Sequence, residues 1–225
     1  VLVRCHAGCS QTRVIAALRA RGLWPDNGRL APKPARAEPR NAGNNQPGRS
    51  DTARTEAAVR IWQAATSAAS TPVEIYLRSR GITMAVPSAL RFHAGIKHPS
   101  GGIWPAMVAL VTRGTDGAPL AVHRTFLTHD GNGKVKVEPQ RMMLGPCRGG
   151  AVRLAPAGDA LMVGEGIETC LAAMQATGRP TWAALSTSGL RTLDLPTEVR
   201  DVVVLADGDE PGEAAARDAA LRWKR

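Results

Sequence analysis

The sequence has no run of about 18 to 20 consecutive apolar residues, the length needed to cross a bilayer, and no basic-then-apolar leader. We therefore expect a cytoplasmic protein without a membrane partner. It has only 4 cysteines, of which Cys147 and Cys170 fall in unrelated segments, and a disulfide scaffold is not expected in this compartment. The sequence begins at Val1 and stops within a helical pattern at Arg225, which we interpret as a fragment of a longer protein.

Two common functional patterns are also missing. The stretch from Gly145 to Gly150 is glycine-rich but lacks the Gly-Lys-Ser/Thr ending of a phosphate-binding P-loop, so it indicates a turn between strands and not a helicase motor. The histidines at positions 93, 98, 123 and 129 do not have the spacing of metal ligands. This pattern favours ordinary surface or core positions for them.

Acidic residues are scarce in the first two thirds of the chain. Residues 1–60 and residues 61–155 each carry 11 basic and 4 acidic side chains, whereas residues 156–225 carry 7 basic and 11 acidic ones. The net charge of the whole chain is +10. A basic remainder could neutralise the phosphates of a nucleic acid and release its counterions. An arginine-rich composition without any such role is the alternative explanation.

The acidic residues of the last segment gather in two clusters, Gly164–Thr169 and Leu205–Gly212. Each follows a short apolar run that predicts a buried strand, at 160–163 and 202–205, and each precedes an alanine-rich helical pattern. Turns at the carboxyl ends of strands are where ligands bind in open α/β sheets. Carboxylates gathered there, with glycines that let the backbone approach, favour a site for Mg²⁺ that acts on phosphates.

The spacing of Asp207 and Asp209 suits a shared cation. One residue separates them, so in an extended segment their carboxylates point the same way, and Gly208 keeps the position between them clear. The alternative is that Asp209 and Glu210 only cap the helix that begins near Pro211. Glu165 could likewise be a solvated turn residue.

Taken together, the two clusters resemble the Toprim domain that bacterial-type primases, topoisomerases and some nucleases share. Glu165-Gly166 resembles its Glu-Gly motif, and Asp207-Gly208-Asp209 its Asp-x-Asp motif, with Gly212 and the following helix closest to the primase version. The resemblance covers about residues 159–225. Toprim domains tend to carry a further metal-binding acid after this helix, so we expect a C-terminally truncated domain here.

The resemblance and the chemistry of these groups suggest roles for them. Asp207 and Asp209 would hold Mg²⁺, or Mn²⁺, and bring it to the triphosphate of an incoming nucleotide. Glu165 would bind the metal or act as general acid/base on the hydroxyl. Glu168 has a supporting role, because primase-like relatives also carry an acid there, or else lies on a surface helix.

Cys5 and Cys9 make only half of a metal site. A structural Zn²⁺ site needs four ligands, and this segment supplies these two thiols and at most His6. The stretch resembles the second half of the zinc-binding module that opens primases, whose first Cys/His pair would lie before Val1. We therefore expect Zn²⁺ binding in the intact parent protein and not in this chain, where two free thiols are the alternative.

The chain divides into four segments: a partial zinc-ribbon-like module (1–24), a flexible basic linker rich in Pro and Gly (25–54), a small α+β module (55–155) and the Toprim domain (156–225). In the third, helices are predicted from Thr55 to about Ala69 and from Thr71 to Gly81, followed by strands at 105–112, 120–127, 134–137 and 141–144. In the fourth, strand and helix alternate, with a polar turn at 186–189. The fold class is therefore α/β, a Toprim-type parallel sheet flanked by helices.

The function that this pattern favours is a primase-type, Mg²⁺-dependent nucleotidyltransferase that makes RNA primers on single-stranded DNA for a phage, plasmid or integrated element. Ribonucleoside triphosphates would be its substrates and a replicative helicase, in cis or in trans, a further partner. Lys134, Lys136 and Arg141 could line a template or nucleotide channel, although a solvated basic strand is equally compatible. A Toprim nuclease and a non-catalytic DNA-binding module of a replication or mobilisation protein are the alternatives.

Overall fold

A computed structural model describes residues 49–224, together with Ala16 and Ala20 as two helical positions. The helices are α1 (Arg49–Ala64), α2 (Pro72–Ser79), α3 (Ile167–Thr177), α4 (Thr187–Thr192) and α5 (Glu210–Trp223). The strands are β1 (Thr66–Ser67), β2 (Leu90–Lys97), β3 (Ile103–Arg113), β4 (Pro119–Phe126), β5 (Arg141–Leu144), β6 (Gly150–Arg153), β7 (Ala160–Gly164), β8 (Thr181–Ala183) and β9 (Asp201–Leu205). Within this part of the chain, no helix is long and apolar enough to cross a membrane.

The first part of the fold is an antiparallel sheet with helices packed on it. Strands β2, β3, β4 and β5 pair in that order, and the middle of the long β3 is buried. Helix α2 begins as its sequence predicts, because the hydroxyl of Thr71 accepts a hydrogen bond from the Val73 amide and Pro72 needs no amide partner. Its buried residues Tyr76 and Leu77 join the core under β3.

The second part is the expected alternation of strand and helix. Strands β8, β7 and β9 lie side by side and run parallel. Helix α3 ends at Gly178, whose φ of 68° is left-handed, with its amide bonded to the Met174 carbonyl. The core on one face of these strands includes Leu171 from α3, and the core on the other face includes Ala215 from α5.

One short strand joins the two parts into a single sheet. β6 pairs antiparallel with β3 on one side and with β8 on the other, so the strand order runs β1-β2-β3-β6-β8-β7-β9. The sheet is therefore mixed, whereas the sequence predicted a parallel sheet preceded by a separate module. The α/β class and the flanking helices are as predicted.

Side chains reinforce this junction. The guanidinium of Arg153, in β6, lies 4.4 Å from the ring centroid of Trp182, in β8, and donates to the carbonyls of Arg113 and Gly114 at the end of β3. Trp182 is completely buried, and its indole N–H donates to the Ala155 carbonyl at 2.9 Å. Strands that are distant in sequence are thus tied by one buried aromatic ring.

Several boundaries differ from those predicted. Helix α1 begins at Arg49, inside the stretch assigned to the linker, and ends at Ala64, since Thr66 pairs with Phe92 as a strand. Strands β2 and β6 and helix α4 were not predicted. The predicted strand at 134–137 forms only an isolated bridge between Lys134 and Leu127.

We predict that Gly114→Ala strongly destabilises the protein. A Cβ at this position would lie 1.5 Å from the carbonyl oxygen of Asp194, in the backbone that follows α4, so the two parts of the fold would have to move apart. Overpacking of this kind costs on the order of 1–3 kcal/mol, and each kcal/mol lowers the Tm by about 2–4 °C in a chain of this size. Thermal unfolding followed by circular dichroism measures the effect.

Gly133→Ala is the matched control for this substitution. A Cβ there meets no atom within 4 Å, and neither glycine has a left-handed φ. A Tm for Gly114→Ala equal to that of the control would contradict the close approach.

Candidate active site

The two acidic clusters lie at the ends of neighbouring strands. In the parallel pair β7 and β9, Gly164 is in register with Leu205, so Glu165 and Ala206 are the first residues beyond the two strand ends. Asp207 and Asp209 follow directly. The structure thus brings the three predicted carboxylates to the same edge of the sheet, the carboxyl edge of its parallel strands.

The surroundings of Glu165 disfavour its charged form. Its Oε1 is buried and has no hydrogen-bond partner among the described residues. Burial raises the pKa of this carboxyl above its ordinary value, and the charges of Asp207 and Asp209 raise it further, against a smaller opposing effect of Arg191. The three acids therefore repel one another across the ends of the two strands.

Asp209 has a structural role of its own. It is the N-cap of α5, and its Oδ1 accepts a hydrogen bond from the Gly212 amide at 2.8 Å. Gly212 must be glycine, because a Cβ there would lie 2.8 Å from the Asp207 carbonyl oxygen. Gly208, by contrast, has open space around it. Asp209 therefore caps the helix, which uses one of its two oxygens and does not decide whether capping is its only role.

The described residues contain no group of three or more acidic, histidine or cysteine side chains arranged to hold a metal ion. The donor set nevertheless fits Mg²⁺, since all three groups are hard oxygen ligands and Glu165 offers a buried oxygen without a partner. A cation at this edge would also relieve the repulsion that raises the pKa of Glu165.

The end of β8 completes this edge. The amide of Leu185 donates to the Glu165 carbonyl at 2.9 Å, and Leu185 has a left-handed φ of 70°. Such a conformation is strained for a branched side chain and is found most often at functional sites. The sequence predicted only a polar turn here. In the structure the hydroxyl of Ser186 caps α4 by accepting a hydrogen bond from the Gly189 amide at 3.0 Å.

Glu168 contacts residues of the first part of the fold. Its Oε1 accepts hydrogen bonds from the hydroxyl of Tyr76, in α2, at 2.6 Å and from the guanidinium of Arg141, in β5, at 2.9 Å. Its side chain is only 14% exposed, so the surface-helix alternative does not describe it, and the predicted supporting role stays a prediction. The sequence did not indicate Tyr76 as a partner of Glu168. The two residues are 92 positions apart, so no local sequence pattern relates them.

Two of the three predicted basic residues lie together. The pKa of Lys134 is lowered by burial and then by the charge of Arg141, which places the two cations near each other. Lys136 is exposed, and no described hydrogen bond or ion pair includes it. His123 belongs to the same surroundings: burial and then the charge of Arg141 lower its pKa to about 4, so it is neutral at pH 7.

The predicted zinc ligands Cys5 and Cys9 lie outside the described residues. Cys147 and Cys170 are free thiols, and burial raises the pKa of Cys170 to about 12. Cys170 donates to the Trp182 carbonyl and belongs to the core.

Two segments of the chain match known family models. Residues 160–225 match the family model of the Toprim domain, and residues 52–154 match that of a domain of unknown function (DUF7146). A search of curated proteins finds no match to the chain.

Solved structures with a similar fold include primases. The DnaG primase catalytic domain bound to single-stranded DNA is 14% identical, with 75% of this chain and 66% of that one covered and a TM-score of 0.47. The primase fragment of the bacteriophage T7 primase-helicase protein is 16% identical (65% and 55% covered, TM-score 0.41). A DNA primase domain from Pseudomonas aeruginosa is 19% identical (75% and 64% covered, TM-score 0.43).

The chain thus spans between 55% and 66% of the length of these three proteins. The Toprim match falls on the segment whose Glu-Gly and Asp-x-Asp motifs first indicated it, and the strands predicted beside these motifs are observed as β7 and β9. Residues 160–225 therefore match a Toprim domain both in their motifs and in the family model.

Proposed function

We propose that the protein is a DNA primase-type nucleotidyltransferase, which joins ribonucleotides into short primers on single-stranded DNA in the replication of a phage, plasmid or integrated element. The observation that carries this proposal is the buried, unpartnered oxygen of Glu165 beside Asp207 and Asp209 at the carboxyl edge of the sheet. Like charges held together in this way raise the free energy of the folded protein unless a cation joins them.

In this proposal Glu165, Asp207 and Asp209 hold Mg²⁺, or Mn²⁺ in its place. When bound, the cation supplies charge neutralisation at the triphosphate that the attacking hydroxyl must approach. The hydroxyl forms a bond to the α-phosphorus of a ribonucleoside triphosphate, the bond to pyrophosphate breaks, and the hydroxyl proton leaves. Glu165 either binds the metal or accepts that proton, a role that its raised pKa favours.

The basic residues of the first part bind the phosphates. Arg141 keeps most of its five N–H donors available, since one of them donates to Glu168, and its side chain is 46% exposed. Lys134 adds a second cation next to it. Lys136 is exposed on the same segment, where it can contact the single-stranded DNA backbone. A replicative helicase, in cis or in trans, would extend this function to unwound DNA.

We predict that the double substitution Asp207→Asn and Asp209→Asn abolishes primer synthesis and preserves folding and DNA binding. Asparagine is as good a helix cap as aspartate, so α5 keeps its first turn. Loss of two negative charges can only weaken the repulsion of phosphates. Incorporation of labelled ribonucleotides on single-stranded DNA measures synthesis, and fluorescence anisotropy across a salt series measures DNA binding.

Glu213→Gln serves as the control, because Glu213 lies one turn further along α5 in an exposed ion pair with Arg217. Synthesis by the double variant at the control rate would refute the proposed site. Strand scission without nucleotides would favour the nuclease alternative, and DNA binding without either activity would favour the non-catalytic module.

We also predict opposite stability effects for the two glutamates of the first cluster. In metal-free protein at pH 7, Glu165→Gln should raise the Tm, because it removes one of three mutually repelling charges. Glu168→Gln should lower it, because hydrogen bonds from Tyr76 and the charge of Arg141 outweigh burial and hold the pKa of Glu168 below its ordinary value. Differential scanning calorimetry measures both.

The effect at Glu168 has a defined pH dependence. A carboxyl with a lowered folded-state pKa stabilises the fold above its unfolded-state pKa of about 4.3 and loses this contribution as the pH falls through the folded value. The Tm difference between wild type and Glu168→Gln should therefore shrink below about pH 4. A difference independent of pH would contradict an ionic role for Glu168.

A further inference from the structure

Glu168 connects the two parts of the fold through one oxygen atom. It lies in the first turn of α3, in the Toprim domain, whereas both of its hydrogen-bond donors, Tyr76 and Arg141, belong to the part before residue 155. Tyr76 is 2% exposed and packs in the core between the parts. The carboxylate is therefore held in place by a buried, rigid donor on one side.

The other donor is much less constrained. Arg141 begins the four-residue strand β5, and its side chain is 46% exposed. The charges of Arg141 and Arg80 act on nearby Lys134, and Glu168 is the acid that acts on it. Without this carboxylate the Arg141 guanidinium would lose its described ion pair and be free to rotate into solvent.

The surroundings of Glu168 differ from those of Glu165. Asp207 and Asp209 act on the charge of Glu165, whereas Tyr76 and Arg141 act on that of Glu168. The two glutamates are three residues apart, around the start of α3, and interact with different groups. Glu165 is affected by the aspartates, and Glu168 binds the basic side chain of Arg141.

We propose that Glu168 is a positioning residue and not a metal ligand: anchored by Tyr76, it holds the guanidinium of Arg141 at the place where that side chain binds the phosphates of a polyphosphate substrate. The proposal rests on the proposed function only in naming a nucleotide's triphosphate as that substrate. An arginine fixed before binding loses less rotamer freedom when the anion arrives.

The sign of the effect on anion binding distinguishes this role from simple electrostatics. Removal of an acid near a phosphate site should tighten anion binding if charge alone matters. Removal of a positioning residue should weaken it. Loss of a metal ligand should instead weaken metal binding, with a smaller effect on an anion in metal-free solution.

The test uses the full chain with Glu168→Ala, and with Tyr76→Phe as a second variant that keeps the buried ring. Calorimetric titration with tripolyphosphate in metal-free buffer gives the anion Kd, and electron paramagnetic resonance of Mn²⁺ gives the metal Kd. We expect the tripolyphosphate Kd of Glu168→Ala to rise about tenfold, equivalent to about 1.4 kcal/mol, with an unchanged Mn²⁺ Kd. Tyr76→Phe should shift the anion Kd in the same direction by less.

Further comparisons sharpen this expectation. Because Tyr76 acts through Glu168, the double variant should bind tripolyphosphate no more weakly than Glu168→Ala alone. Glu168→Gln, which keeps an acceptor oxygen, should recover part of the affinity, and the control Glu213→Gln should equal wild type. In primer synthesis, Glu168→Ala should raise the KM for nucleotides more than it lowers kcat.

An equal or tighter tripolyphosphate Kd for Glu168→Ala, or a weaker Mn²⁺ Kd, would overturn the positioning role. If Glu168→Ala does not fold, an unchanged anion Kd in Tyr76→Phe would do the same. The proposed function can fail separately. If the wild-type protein makes no primers but the variants show the expected changes in tripolyphosphate Kd, the proposed function is wrong and the positioning role stands.

Discussion

The pairing of β6 with both β3 and β8 is the constraint on which the rest of the structure depends. Four residues, Gly150–Arg153, join an antiparallel sheet to a parallel one, and the ring of Trp182 packs under the guanidinium of Arg153 at the junction. Basic residues from one part and carboxylates from the other are therefore held in one rigid frame. A flexible connection between the parts could not keep Arg141 within hydrogen-bond distance of Glu168.

The charges at the candidate site are separated by sign. Three carboxylates at the ends of β7 and β9 repel one another, while the cations on β5 and the preceding loop meet a single acid, Glu168. Neither the set of carboxylates nor the set of cations maximises the stability of the folded protein without a ligand. This is typical of sites that bind a ligand of opposite charge. A metal ion suits the first group and a polyphosphate suits the second, as the two halves of a metal–nucleotide complex would require.

The sequence predicted the Toprim part better than the part before it. Strand–turn–helix units such as β7–α3 leave local signals, namely an apolar run, a glycine turn and a helical repeat, and Glu165, Asp207 and Asp209 lie within those signals. Strands β2 and β6 leave no such local signals, because they are short or irregular and are formed by pairing with distant strands. The hydrogen bond from Tyr76 to Glu168 has no local pattern at all, since it depends on how the two parts pack.

The cap at Asp209 has an evolutionary consequence. Its bond to the Gly212 amide needs only a small polar acceptor, so serine or asparagine could replace it with little loss of helix stability. Selection for a folded chain would not detect that exchange, although the proposed cation site would lose a ligand. Relatives that had lost the proposed catalytic activity would therefore keep this architecture, and a substitution at position 209 would mark the loss.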